Sequence, residues 1–317
     1  MGRSVSAVAT KPRIGFVGLG WIGRHRLEAL TASGCAEIGG VADPALPDAF
    51  DSPEALCELE LDGVVIATPN ALHAEQSIAA LERGLAVFCQ KPLARTAAEA
   101  RTVVDAARAA DRLLGVDLSY RHVEGARRIK ELVLAGALGE VRAVDLAFHN
   151  AYGPDKDWFY DRDAAGGGCL LDLGTHLIDL ALWTLEWPHV VRVDGHVHGD
   201  PVEQLAFAQL ELGTGAVVRV ACSWHLPIGR DCAFESGFYG DRAGATLRNV
   251  GGSYYDFVAD LHQGTVSKRI AAPPDAWGGR AIVDWARRLA TQPRFDPQIE
   301  EVVRIAETLD AIYEAAR

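Results

Sequence analysis

The amino-acid sequence predicts an α/β chain in two parts. The first is an N-terminal domain with a doubly wound parallel sheet over residues 1–118. The second is a C-terminal α+β domain over residues 119–317 with a large, mostly antiparallel open sheet. Three observations carry this. Over the first third, short apolar runs alternate with helical patterns, the rhythm of βαβ units. Past Leu118 the rhythm changes to strand after strand with period-two alternation. A glycine-rich turn joins the first strand to the first helix. The 317 residues suit two domains of ordinary size, and with 49% apolar residues there is ample material for cores. The net charge of −12 argues against a nucleic-acid or anionic-membrane partner.

In chain order, 13–18 reads as a strand, 21–33 as a helix and 37–42 as a second strand. Ser52 caps a helix that has Pro53 at its first position. The third strand, 63–68, contains the continuous run Val64-Val65-Ile66 expected of a strand covered on both faces. Asn70 is expected to cap a helix running to Arg83 and closed by Gly84. A fourth strand follows at 85–89. Thr96 with Glu99 forms a capping-box signature for a helix to Ala110, and 113–118 is the fifth strand. The second part opens with a helix at 124–135, ended by Gly136, and a strand at 141–149. A loop rich in Asp and aromatics leads to Gly166-Gly167-Gly168 and a helix at 170–185. Strands at 190–198, 204–211, 216–223 and 232–239 come next, then shorter pieces, and helices at 279–291 and 298–315 finish the chain. Residues 1–12 are expected to fray, since they hold no clear signal-peptide core. Nor does any apolar run approach a membrane span, so a cytoplasmic protein without a membrane partner is expected.

The first strand runs into Gly18-Leu19-Gly20-Trp21-Ile22-Gly23, and an acid, Asp43, ends the second strand twenty residues past Gly23. In that context the glycines form a dinucleotide fingerprint. Gly18 permits the tight turn and Gly20 lets backbone N–H groups approach a pyrophosphate. Gly23 lets the helix pack close to the sheet, and the helix N-terminus, with Trp21 and Ile22, supplies a positive dipole. Asp43 would accept from ribose hydroxyls and repel a 2′-phosphate, and its neighbours from Pro44 to Asp48 include no Arg. NAD is therefore expected, with NADP the poorer fit.

Four stretches together resemble the Gfo/Idh/MocA oxidoreductases, which include glucose–fructose oxidoreductase and inositol dehydrogenase. They are the fingerprint; Ala67-Thr68-Pro69-Asn70-Ala71-Leu72-His73; Gln90-Lys91-Pro92; and the run from Gly166 through Asp172 and His176 to Asp179. The resemblance implies a Rossmann domain in which Thr68, Pro69, Asn70, His73 and Gln90 line the cofactor site. It also implies that Lys91, Asp172 and His176 face nicotinamide and substrate. The family usually carries Glu where this chain has Gln90. Sheet-to-sheet homodimers or homotetramers are implied as well, in keeping with the open face of a sheet covered on one side only.

The residues themselves agree. Lys91 ends a buried strand at the carboxyl edge, where open α/β sheets bind ligands; seen alone it would read as a snorkelling surface lysine. Asp172 and His176 are four apart on one helix and share a face, although such a pair is more often a surface ion pair. The triple glycine would let backbone pass close to a flat cofactor. Trp158, in the acidic aromatic loop, could stack on the CH face of a polyol; a solvated loop pinned by its aromatics is the plainer alternative. Tyr120 and Arg121 fall where the chain crosses between domains, and His225 ends a strand, so all three are candidate substrate contacts.

These features predict hydride transfer between nicotinamide and a secondary alcohol or ketone of a sugar or cyclitol. His176 is the preferred general base, oriented by Asp172, with Lys91 on the reacting oxygen. The roles of Lys91 and His176 are open to exchange. A sugar sensor that binds the dinucleotide without turnover, and a glycosidase that uses NAD transiently, are the rival readings. Six scattered cysteines show no Cys-x-x-Cys pair, and the His196/His198 pair lacks a third ligand, so neither a disulfide framework nor a metal site is expected.

Overall fold

The computed structural model describes residues 11–317; the frayed tail expected at the start lies, through residue 10, outside the described residues. The strands β1 (Arg13–Val17), β2 (Glu37–Ala42), β3 (Gly63–Ile66), β4 (Ala86–Cys89) and β5 (Leu114–Val116) form a wholly parallel sheet in the order β2-β1-β3-β4-β5. Helices α1 (Trp21–Ser33), α2 (Pro53–Cys57), α3 (Asn70–Glu82) and α4 (Ala97–Ala110) connect them. Every residue of β3 and β4 is buried, which is why both sequences are continuous and apolar. Strand order reverses direction about β1 and β3, so their carboxyl ends form the crevice where such sheets take ligands.

The expected caps hold at two helices. Ser52 Oγ accepts from Ala55 N (3.2 Å), and Thr96 Oγ1 from Glu99 N (3.2 Å), while the Glu99 carboxylate turns to Arg95 N. Asn70 departs from expectation. It lies inside α3 behind Pro69, and its Nδ2 donates to Ala165 O (2.9 Å), tying the first sheet's edge to the second half of the chain.

After β5 a 3₁₀ turn at Ser119–His122 and α5 (Glu124–Leu134) lead to β6 (Val141–Asn150). Then come α6 (Arg162–Ala165), a wide π turn at Leu170–Gly174, and α7 (Thr175–Thr184). The remaining strands are β7 (Val190–His198), β8 (Leu205–Leu212), β9 (Val217–Ser223), β10 (Cys232–Gly240), β11 (Gly244–Asn249), β12 (Phe257–Gln263) and β13 (Val266–Ala271). They order as β13-β12-β11-β10-β6-β9-β8-β7, antiparallel throughout except for the β6–β9 pair. Val144, Leu146 and Phe148 of β6 face the core with Val218, Val220 and Cys222 of β9, and their alternate neighbours face outward.

Two expectations are corrected. The helix predicted over 170–185 is not a uniform α-helix: its first turn is a π turn, and Thr175 Oγ1 donates back to Leu171 O (2.5 Å) where it joins α7. The division at residue 118 is not clean either. The last helices are α8 (Arg280–Leu289) and α9 (Glu300–Ala315), and Ile282, Trp285, Ala286 and Leu289 of α8 pack on Ile14, Phe16, Val65 and Phe88 of the parallel sheet. No crossover helix follows β5 on that face, so a helix from the end of the chain covers it. Among the described residues no helix is long and apolar enough to cross a membrane.

Candidate active site

The glycine turn sits at the carboxyl end of β1, and its three glycines meet three different surroundings. Gly18 has φ +87°, and an added Cβ would lie 2.6 Å from Ala67 O at the end of β3. At Gly23 an added Cβ would run into the Gly18 carbonyl, the close helix–strand approach that the fingerprint requires. Gly20 is different: no described atom lies within 4 Å of a Cβ placed there. It forms the N-cap of α1, where among the described residues no side chain caps the helix. Free space over an uncapped helix N-terminus suits a pyrophosphate, so the residues present fit a dinucleotide. Asp43 holds the turn from the side: its Oδ2 accepts from Leu19 N (2.7 Å) and its Oδ1 from Ala45 N (2.9 Å). Trp21 is 64% exposed at the mouth, its ring 4.4 Å from that of His25, and Ile22 follows it in the same turn.

Next to this turn, Thr68 Oγ1 pairs with Gln76 (2.7 Å), and Pro69 stands at the N-cap of α3. His73 is corrected from the expected cofactor contact. It is buried, and its ring nitrogens meet Pro92 O (2.7 Å) and Thr68 O (2.8 Å), so the imidazole braces the loop after β3 against the loop after β4.

Lys91 leaves the end of β4 and crosses to the π turn. Its Nζ donates to Asp172 O (2.8 Å) and Asp172 Oδ1 (2.5 Å), with both side chains about one-fifth exposed. Asp172 Oδ2 accepts from Trp224 Nε1 (3.2 Å). The carboxylate expected to orient His176 is therefore committed to Lys91 and Trp224. His176 lies one turn on and is buried; its Nδ1 has no hydrogen-bond partner among the described residues, and the ring packs 4.7 Å from that of Tyr120. Burial, reinforced by the charges of Lys91 and Arg26, holds the imidazole well below its ordinary pKa. The shift favours the uncharged imidazole. The site unites an ammonium with an N–H to spare and a neutral imidazole, the pair that chemistry at a carbinol oxygen needs.

The model of the oxidoreductase family with an NAD-binding Rossmann fold matches residues 12–118, and that of the GFO/IDH/MocA C-terminal domain matches 126–246. The D-xylose 1-dehydrogenase (NADP(+)) 2 of Haloferax volcanii is 32% identical over 305 residues, 92% of this chain and 90% of that protein. The chain belongs to the Gfo/Idh/MocA oxidoreductases. The D-glucoside 3-dehydrogenase of Escherichia coli is also 32% identical, over 218 residues; the alignment spans 62% of this chain and 62% of that relative's length. A crystal structure of aldose-aldose oxidoreductase from Caulobacter crescentus shares the fold, with a TM-score of 0.85 at 21% identity, covering 97% of this chain and 98% of that one.

Within this Gfo/Idh/MocA frame the other expected substrate contacts separate. Trp158 stacks on Phe159 (3.8 Å) in a 3₁₀ turn at Asp157–Tyr160; Phe159 and Tyr160 then pack edge-on against Trp224, which reaches Asp172. His225 is exposed, with φ +57° and Nε2 3.3 Å from the Tyr160 hydroxyl. The aromatic loop and the end of β9 thus form one wall leading to the Lys91–Asp172 pair. Tyr120 belongs to the floor, stacked on Phe234 (5.0 Å) and beside Trp277. Arg121 is corrected: its guanidinium is bound by Asp179 (2.6 Å) and Glu301 (2.9 Å) and has become a partly buried structural cation. The triple glycine is corrected too. Added Cβ atoms there would strike Arg95, the Tyr313 hydroxyl and the Glu203 carbonyl, so the glycines serve protein packing.

Sequence reading missed three residues. Trp224 was visible only as the neighbour of His225. Glu203, 2% exposed, accepts from Gly168 N (2.7 Å), Leu170 N (3.0 Å) and the Tyr313 hydroxyl (2.7 Å), which fixes the turn that carries Asp172. No local pattern marks it. Asp117 directly follows β5, and an acid at that edge of a parallel sheet was a signal available to be read.

Proposed function

We propose that this chain is an NAD-dependent oxidoreductase acting on a secondary alcohol, or the matching ketone, of a sugar or cyclitol. The observation that carries the reading is the Lys91–Asp172 pair lying beside uncharged His176 at the carboxyl edge of the dinucleotide-binding sheet. Gly18, Gly20, Trp21, Ile22 and Gly23 would hold the pyrophosphate, Asp43 the ribose, and Thr68, Pro69, Asn70 and Gln90 would line the cofactor's path. When bound, the nicotinamide supplies the hydride acceptor or donor.

Lys91, anchored by Asp172, directs its remaining N–H at the substrate oxygen and stabilises developing alkoxide. His176 takes the hydroxyl proton at Nε2 in the oxidative direction and returns it in reduction. Trp158, Tyr160 and His225 offer aromatic faces and polar edges for a polyol, with buried Trp224 backing them. The relatives named as D-glucoside and D-xylose dehydrogenases support a sugar-class substrate. The choice of NAD rests on Asp43 and the lack of an Arg beside it, although the Haloferax relative is named for NADP(+). The outward face of the large sheet, with Phe207 and Tyr239 exposed beside the Arg219–Asp145 ion pair, suits pairing with a second copy in a homodimer or homotetramer.

A panel of sugars and cyclitols screened for NAD⁺ reduction tests the assignment. Turnover of at least one polyol with NADH accumulating supports it. Release of reducing sugar without NADH would point to a glycosidase, and tight sugar binding without turnover to a sensor.

A further inference from the structure

Trp224 touches both the Lys91–Asp172 pair and the aromatic wall, and the steps described for Lys91 and His176 do not use it. It directly follows β9 and is 2% exposed. Its backbone N–H donates to Gln204 O (2.8 Å), just ahead of β8, and the next residue, His225, takes φ +57°. The backbone is thus pinned at the indole and turned sharply after it. Trp224 Nε1 donates to Asp172 Oδ2 (3.2 Å), and its ring meets Phe159 (6.2 Å) and Tyr160 (5.7 Å) edge-on.

The two oxygens of Asp172 are thereby divided. Oδ1 accepts from Lys91 Nζ (2.5 Å) and Oδ2 from the indole. The ammonium also donates to Asp172 O (2.8 Å), which leaves one of its protons unassigned. A carboxylate with a free oxygen beside an ammonium can rotate to take a further proton from it. An indole N–H is a donor with no acceptor capacity, so it fills Oδ2 and makes no claim on Lys91. A hydroxyl in its place could accept as well as donate, and would compete for that proton.

We propose that Trp224 is a positioning residue for the reaction. By occupying Asp172 Oδ2 it keeps the remaining N–H of Lys91 free for the substrate oxygen. By backing Phe159 and Tyr160 it also ties the polyol wall to that N–H through one rigid ring. This rests on the reading of Lys91 as the residue at the reacting oxygen. A ring that only filled space could be replaced by phenylalanine with little loss of turnover; the positioning role requires the nitrogen.

The test compares Trp224→Phe, which keeps an aromatic ring and loses the N–H, with Trp224→Leu, which loses both. Kinetics use whichever of D-glucose, D-xylose and myo-inositol the parent oxidises fastest. Trp224→Phe is expected to lower kcat by about tenfold or more, with KM and NADH affinity within about threefold of the parent. Trp224→Leu should lower kcat as far and raise KM as well, because the wall loses its backing. The indole N–H resonances of the cofactor-free protein, read by NMR, are independent of turnover. The resonance lost in Trp224→Phe is that of Trp224, and Asp172→Asn should move it upfield in the otherwise unchanged chain, because a neutral oxygen is a weaker acceptor than a carboxylate. Parent-like kcat in Trp224→Phe, or a rise in KM with kcat unchanged, overturns the proposal, since the indole would then be packing or wall alone. So does an indole resonance that ignores Asp172→Asn. A parent that oxidises none of the three sugars or any other polyol would fail the dehydrogenase reading and take the positioning role with it, while the resonance would still report the Trp224–Asp172 bond.

Discussion

Gly18 and Gly20 are two residues apart in one turn, yet alanine at each should fail in a different way. At Gly20 the backbone (φ −60°, ψ −173°) is one that alanine adopts freely, and no described atom lies within 4 Å of the added methyl. Restricting the unfolded chain should leave the cofactor-free Gly20→Ala protein unchanged or more stable by about 0.4–1 kcal/mol. The methyl would stand in the space assigned to the pyrophosphate. Displacing even one charge-assisted hydrogen bond, worth about 1.5–3 kcal/mol, lowers NADH affinity by roughly 10- to 100-fold. At Gly18 the order reverses. With φ +87° and Ala67 O 2.6 Å from the new Cβ, Gly18→Ala should cost about 1–3 kcal/mol of stability before any ligand is added. Thermal melting without cofactor and calorimetric titration with NADH separate the two. Parent-like NADH affinity in Gly20→Ala would refute the placement of the pyrophosphate at the start of α1.

Other consequences are equally open to measurement. Glu203→Leu should strip Gly168 N and Leu170 N of their buried acceptor, at about 1–3 kcal/mol for each orphaned group, with Glu203→Gln milder; urea unfolding reads the loss. Burial lowers the pKa of His73 and His176, so below the unfolded value of about 6.5 the unfolded chain takes up protons that the native chain refuses. Stability should therefore be flat above that pH and fall below it, by up to about 1.4 kcal/mol per pH unit for each such histidine, and His176→Asn should flatten the fall as followed by melting against pH. Asp43→Ser with Pro44→Arg should raise the NADPH-to-NADH affinity ratio by about tenfold or more, since a guanidinium then replaces the carboxylate that repels a 2′-phosphate.

The parallel half was legible because its signals are local. Continuous apolar runs, caps at Ser52 and Thr96, and a glycine turn each declare a structure within a few residues. The second sheet was legible as alternation, but its order was not, because the β6–β9 pairing joins strands separated by four helical segments and the β7–β8 pair. The return of α8 to the first sheet was hidden for the same reason: an amphipathic face does not say which core it covers. In the site, Lys91, Asp172 and His176 are brought to one place, yet the partner of Asp172 is Lys91, since the π turn and Trp224 decide where its carboxylate goes. His73 and Arg121 carry polar groups that sequence reading assigns to ligands and that the fold uses itself. Arg121 meets Asp179 and Glu301, distant in the chain, and His73 joins Thr68 to Pro92 across the loop after the next strand, contacts that only packing reveals.

In the proposed mechanism Lys91 and His176 act on the reacting oxygen and leave the dinucleotide to the glycine turn and Asp43. Measuring kcat and NADH affinity side by side in Lys91→Ala and His176→Ala tests it most directly. Each variant is expected to lose about 100-fold or more in kcat while NADH binding stays within about threefold of the parent, with the double variant less damaged than the product of the singles. NADH affinity falling in step with turnover would make Lys91 a cofactor clamp, and near-normal turnover in both variants would contradict the assignment outright.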